Sequence, residues 1–203
     1  LDKSDIKARN NFIASLQETA VTLFLIDGVT LLNAMDELDK DPIHRGMVDP
    51  KDKLDARNQI TILENIIHSS IGNNHIPPMM LVITKSDVFV SETEYNNAII
   101  LIKQLLSELF CKGNQIFIGI TKVSLGKNLG KGDDDSIIGN LEISTANNIH
   151  LPMLFAIYAY LDSLYDQADT ATRKTYDSIM KNIRVEFGDK VQFYSNGVEA
   201  YAV

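Results

Sequence analysis

Three short runs, each almost wholly apolar and each stopping at a polar turn, limit what this chain can fold into more than any other feature. They are residues 21–26 (Val-Thr-Leu-Phe-Leu-Ile), 79–83 (Met-Met-Leu-Val-Ile) and 115–121 (Gln-Ile-Phe-Ile-Gly-Ile-Thr). A strand with one wet face alternates apolar and polar side chains, whereas a continuous apolar run fits a strand covered on both faces. The runs lead into Asp27-Gly28, Thr84-Lys85-Ser86-Asp87 and Ser124-Leu125-Gly126.

Helical patterns fill the intervals. Ser4 opens a capped amphipathic pattern through Ile6, Phe12, Ile13 and Leu16 that ends near Glu18. Asp49-Pro50 supplies an N-cap and a first-turn proline for a second pattern through Leu54, Ile62, Leu63, Ile66 and Ile67, closed by Gly72. Ser91 and Glu94 have capping-box spacing ahead of a wide apolar face running from Tyr95 to Leu109. Asn148 and Pro152 open a fourth pattern, with Leu154, Phe155, Tyr158, Leu161 and Tyr165 on one side. Residues 36–52 read as an acid-rich loop, and a long polar loop runs past Gly130, Gly132 and Asp133-Asp134-Asp135. Strands alternating with helices predict a three-layer α/β sandwich with a mostly parallel sheet and right-handed crossovers. In such sheets ligands sit at the carboxyl ends of the strands, where the three polar turns fall. The expected division is residues 1–165 as a partial α/β domain and 166–203 as an extension. In the extension, a helix over 170–187 stops at Gly188, and a hairpin turns at Asn196-Gly197.

Composition narrows the function classes. With 203 residues, 45 % hydrophobic and 23 % charged, one main core is expected. The net charge of -8 opposes a nucleic-acid surface, which needs clustered Lys and Arg. Cys111 is the single cysteine, so no internal disulfide forms, and it is expected to pack at a helix end. No apolar run reaches the ~20 residues of a membrane span, and no signal-peptide pattern opens the chain, so a cytoplasmic protein is expected. The chain starts at Leu1 rather than Met, which leaves open a longer parent. His44, His68, His75 and His150 are scattered, and the three consecutive aspartates lack the interleaving of a calcium loop, so no metal site is expected. Ser15, Ser69 and Ser91 lack nucleophile-elbow surroundings, which leaves no catalytic residue to name.

Thr84-Lys85-Ser86-Asp87 resembles the [N/T]-K-x-D motif of P-loop GTPases, and it stands directly after an apolar run as that motif does. The resemblance implies that Asp87 accepts paired hydrogen bonds from the ring N–H and exocyclic amine of guanine. It implies further that Lys85 lays its aliphatic stem along the base. Thr84 stands where asparagine is commoner. Ser124-Leu125-Gly126-Lys127 resembles the second base-contacting loop of the family, whose backbone N–H reaches the guanine carbonyl, with Leu125 in place of a small residue. Residues 23–32 resemble the strand and following segment that precede the guanine motif in translation-factor-class GTPases. The likeness spans roughly residues 20 to 165 and implies a partial P-loop NTPase-like fold that binds GTP or GDP through Thr84, Lys85, Asp87, Ser124 and Leu125.

The phosphate-binding half of that pattern is missing. No G-x-x-x-x-G-K-[ST] occurs, and Gly126-Lys127-Asn128-Leu129-Gly130-Lys131 has neither its spacing nor its place. No D-x-x-G precedes the first apolar run, so magnesium and GTP hydrolysis are expected only with an N-terminal P-loop portion. Two explanations stay open: such a portion lies upstream, or the chain is a degenerate GTPase-like scaffold that holds a protein partner or a second copy of itself.

Overall fold

The computed structural model describes residues 19–40, 60–61, 63–64, 77–113, 116–125, 130–131, 137–138 and 146–200. Strand β1 (Thr22–Asp27) leads into helix α1 (Gly28–Lys40), and β2 (Met79–Thr84) leads through a short 3₁₀ turn (Ser86–Val88) into α2 (Glu92–Leu105). Next come β3 (Phe117–Lys122), the two-residue strands β4 (Gly130–Lys131) and β5 (Ile137–Ile138), then α3 (Leu151–Tyr165) and α4 (Thr170–Phe187). The hairpin β6 (Val191–Ser195) and β7 (Val198–Ala200) closes the order.

These strands build a mixed five-stranded sheet in the order β1-β2-β3-β6-β7, with β4 and β5 paired separately. The three apolar runs pair in parallel. The β1–β2 register runs from Thr22 opposite Met79 to Asp27 opposite Thr84, and the β2–β3 register from Met79 opposite Ile118 to Ile83 opposite Lys122. Asp27, Thr84 and Lys122 therefore end their strands along one edge of the sheet.

Both faces of β2 are covered, which explains its unbroken hydrophobicity. Met79, Leu81 and Ile83 join one buried cluster with Leu31 of α1 and Ile99 and Ile102 of α2. Met80 and Val82 join another with Phe155 of α3, Phe187 of α4 and Phe193 of β6. Phe117, Phe155 and Phe193 stack with ring centroids 5.4–6.5 Å apart. Gly119 makes the stack possible: a Cβ there would lie 3.1 Å from Phe155 Cε2.

Several expectations change. The segment read as a loop from Asp36 is helical through Lys40, because Leu31, Ala34 and Met35 repeat at helical spacing and carry α1 onto the core. Cys111 does not pack at a helix end: it is exposed, with Sγ donating to the Ser107 carbonyl at 3.2 Å. The apolar face of α2 outlasts its helix, since Leu106 and Leu109 are buried in the turns that follow. Chain beyond Tyr165, expected as an extension, supplies two of the sheet's five strands: β6 runs antiparallel to β3, from Phe117 opposite Ser195 to Thr121 opposite Val191. The helix expected over residues 4–18 and the three consecutive aspartates lie outside the described residues. So does most of the helix expected after Pro50, of which Ile60 and Leu63 are helical and buried.

Candidate functional site

Asp27 is the last residue of β1, and its carboxylate does two things. Oδ1 accepts from the backbone N–H of Thr30 at 3.0 Å and from the Thr30 hydroxyl at 3.3 Å, satisfying a donor at the start of α1. Oδ2 accepts from Lys85 Nζ at 2.7 Å, across the β1–β2 pair. Burial pushes the Asp27 carboxyl up, but the Lys85 and Thr30 hydrogen bonds and the Lys85 charge outweigh it and leave the pKa below the usual aspartate value.

The loop after β2 is held by backbone as well. Thr84 donates its hydroxyl to the Ile26 carbonyl at 3.2 Å. Gly28 lies so close that a Cβ would stand 2.5 Å from the Thr84 carbonyl oxygen and 3.1 Å from that of Lys85. Lys85 itself adopts left-handed backbone, φ 52° and ψ 41°, which disfavours any residue with a Cβ by roughly 1–2 kcal/mol. Ser86 is buried and donates its N–H to the Val123 carbonyl at 3.1 Å, and Val123 donates to Ile83 at 2.8 Å, so β2–β3 pairing continues past both strands. The 3₁₀ turn then presents Asp87 to solvent, its carboxylate without a hydrogen bond or ion pair among the described residues.

On the other flank, the loop after β3 is tied to the chain before α3. Ser124 is buried and exchanges two backbone hydrogen bonds with Asn147, at 3.1 and 2.9 Å, so its own N–H is committed. Leu125 follows it, 60 % exposed. Asn148 has φ 58° and donates Nδ2 to the Lys122 carbonyl at 3.2 Å. The Lys122 ammonium reaches Glu92 in the first turn of α2 and sits 4.3 Å from the Tyr95 ring centroid. Burial, followed by the charge of Glu92 and by Tyr194, pushes the Tyr95 phenol up and keeps it protonated.

Thr84 ends β2 and Lys85 and Asp87 lie in the turn after it, while Ser124 and Leu125 follow β3, with the Ser86–Val123 bond between them. Sequence reasoning named Asp27 without a role and read Asn148 only as a helix opener. It placed Gly28 only in the polar turn closing the first apolar run and gave Asn147 no part. The Asp-Gly pair closing the first apolar run was the available signal for Gly28; nothing local marks Asn147. The Asp87 carboxylate is exposed, and a carboxylate can accept two N–H donors at once. Among the described residues no group of three His, Cys, Asp or Glu side chains is placed to hold a metal ion, and no helix is long and apolar enough to cross a membrane. No family model, curated protein or solved structure matches the chain.

Proposed function

We propose that the two loops at the carboxyl edge of the parallel strands bind the guanine base of GDP or GTP, as the base-recognition half of a P-loop GTPase-like domain. The observation that supports this most is the constrained Lys85: left-handed backbone, packed against Gly28 and ion-paired to Asp27, two residues before an exposed Asp87. Strain of this kind persists where surrounding structure enforces it, and it gathers at ligand clamps. In this reading Asp87 selects guanine, Lys85 lies along its plane, Thr84 anchors the loop to β1, and the Ser124-Leu125 segment meets the edge of the base. The sequence contains no G-x-x-x-x-G-K-[ST] pattern, so in this reading hydrolysis and magnesium binding would require an added N-terminal phosphate loop.

Calorimetry of the full-length protein with GDP, GTP and ADP tests the reading. Guanine nucleotides are expected to bind and ADP not to. Asp87→Ala is expected to weaken GDP about 10²-fold, the scale of two hydrogen bonds to a charged acceptor. Equal affinity for GDP and ADP, or an Asp87→Ala variant with unchanged GDP affinity, overturns it. A GTPase-like interaction scaffold is the second reading; the exposed Leu23 and Leu25 on the edge strand β1 favour it, and it predicts self-association without nucleotide binding.

A further inference from the structure

We infer that Asn148 is a positioning residue for the loop that meets the edge of the guanine base, an inference that rests on the reading above. Residues 125–146 separate Ser124 from Asn147, yet the two exchange backbone hydrogen bonds, so this long excursion is closed at its base. Besides the Val123 bonds to Ile83 and Ser86, Asn148 adds a side-chain bond from that closure to the sheet. Its Nδ2 donates to the carbonyl of Lys122, the last residue of β3, at 3.2 Å. Its own carbonyl accepts from the Leu151 N–H at 3.0 Å, at the first turn of α3. One residue therefore joins the strand end, the loop base and the helix start.

The backbone of Asn148 is part of the device. At φ 58° it lies in left-handed space, where Asn is several-fold better tolerated than most residues with a Cβ. That conformation lets the chain exchange hydrogen bonds with Ser124 at residue 147 and still turn into α3 three residues later. The consequence falls on Leu125. With the Ser124 N–H committed to Asn147, the amide of Leu125 is the next one along the loop that can meet an acceptor on the base, and in this proposal the Asn148 anchor at Lys122 sets its position. Asp87 stands on a different loop and is held by different bonds, so the two edges of the base are governed separately.

This separation supplies the test. The measured quantities are affinities of the full-length protein for GDP, for 6-thio-GDP and for IDP, with the wild type, Asn148→Gly and Asn148→Asp. The thio analogue keeps the groups that face Asp87 and weakens only the acceptor that faces Leu125, sulfur being a poor acceptor. IDP lacks the exocyclic amine and reports on Asp87. The wild type is expected to prefer GDP over 6-thio-GDP by about 3- to 10-fold, the scale of one neutral hydrogen bond. Asn148→Gly keeps the backbone conformation and removes the donor; its preference over the thio analogue is expected to shrink below about twofold with the GDP-to-IDP ratio unchanged. Asn148→Asp turns a carboxylate toward the Lys122 carbonyl and is expected to lose more than Asn148→Gly. Two results overturn the assignment while leaving base recognition in place: an unchanged thio preference in both variants, or both ratios falling together, which marks general loosening. Failure of the wild type to bind any guanine nucleotide removes the underlying reading and this one with it.

Discussion

Asp27 and Gly28 give the polar turn expected at the end of β1 its specific roles: one holds Lys85, and the other lets the chain after β2 approach. Gly28 is required by space: a methyl group there meets the Thr84 carbonyl at 2.5 Å, and backbone cannot step aside as a flexible side chain can. Gly28→Ala is therefore expected to destabilise the protein by about 1–3 kcal/mol, read as a lower midpoint in urea denaturation. Asp27→Asn removes the charge that holds Lys85 and weakens the bond to Thr30, with an expected loss of about 0.5–2 kcal/mol at pH 7. Its pH dependence has a definite sign. The folded state lowers the Asp27 pKa, so its contribution is complete above the unfolded value of about 3.9 and disappears as pH falls through the folded value. The gap in stability between wild type and Asp27→Asn should accordingly close as urea midpoints are measured from pH 6 down to pH 2.5; a gap that widens with acid contradicts the ion pair.

At the scale of elements, α2 was legible in sequence because its signals are local. Ser91 accepts from the Glu94 N–H at 3.2 Å, and Glu94 reaches back to the Val90 N–H at 2.6 Å, one residue earlier than a standard capping box places it. Ser91→Ala should lower stability by about 1 kcal/mol, seen as a reduced melting temperature with unchanged helix content at 20 °C. Helix α4 is equally local: Asp169 accepts from the Thr172 N–H at 2.7 Å, and Gly188 ends it at φ 45°. By contrast α1 was misread, since Asp36 and its acidic neighbours suggest a loop until the apolar face of Leu31, Ala34 and Met35 is seen against β2 and α2. Phe155 carries the other face. It is fully buried within the aromatic stack, and Phe155→Ala is expected to cost about 3–5 kcal/mol in chemical denaturation.

For the molecule as a whole, the sheet decides what counts as one unit. A division after Tyr165 looked natural in sequence, where the alternation of strand and helix stops, yet α4 packs Met180, Ile183 and Phe187 into the cluster that holds Phe155. The hairpin tip also docks on the turn after α2: Gly197 comes so near that a Cβ would lie 2.6 Å from the Phe110 carbonyl oxygen, and Asn196 accepts from the Gly113 N–H at 2.6 Å. A chain ending at residue 165 would expose one edge of β3 and leave Phe117 and Phe155 without Phe193. It is expected to aggregate and to lose its cooperative melt, checked by light scattering and calorimetry; a soluble fragment with a sharp transition contradicts the shared core. The sequence by itself determined the three parallel strands, helices α2 and α4 and the hairpin turn, because continuous apolar runs, caps and Asn-Gly act over a few residues; the cover on both faces expected of all three strands fails at β1, where Leu23 and Leu25 are exposed. The sequence also placed Lys85, Asp87, Ser124 and Leu125 after strand ends; Thr84, expected there too, is the last residue of β2. Only the tertiary structure decided that Asp27 and Lys85, 58 positions apart, form an ion pair. It alone brought Asn148 to Lys122 and made the hairpin part of the sheet, since those contacts depend on strand order and register, which no local pattern encodes.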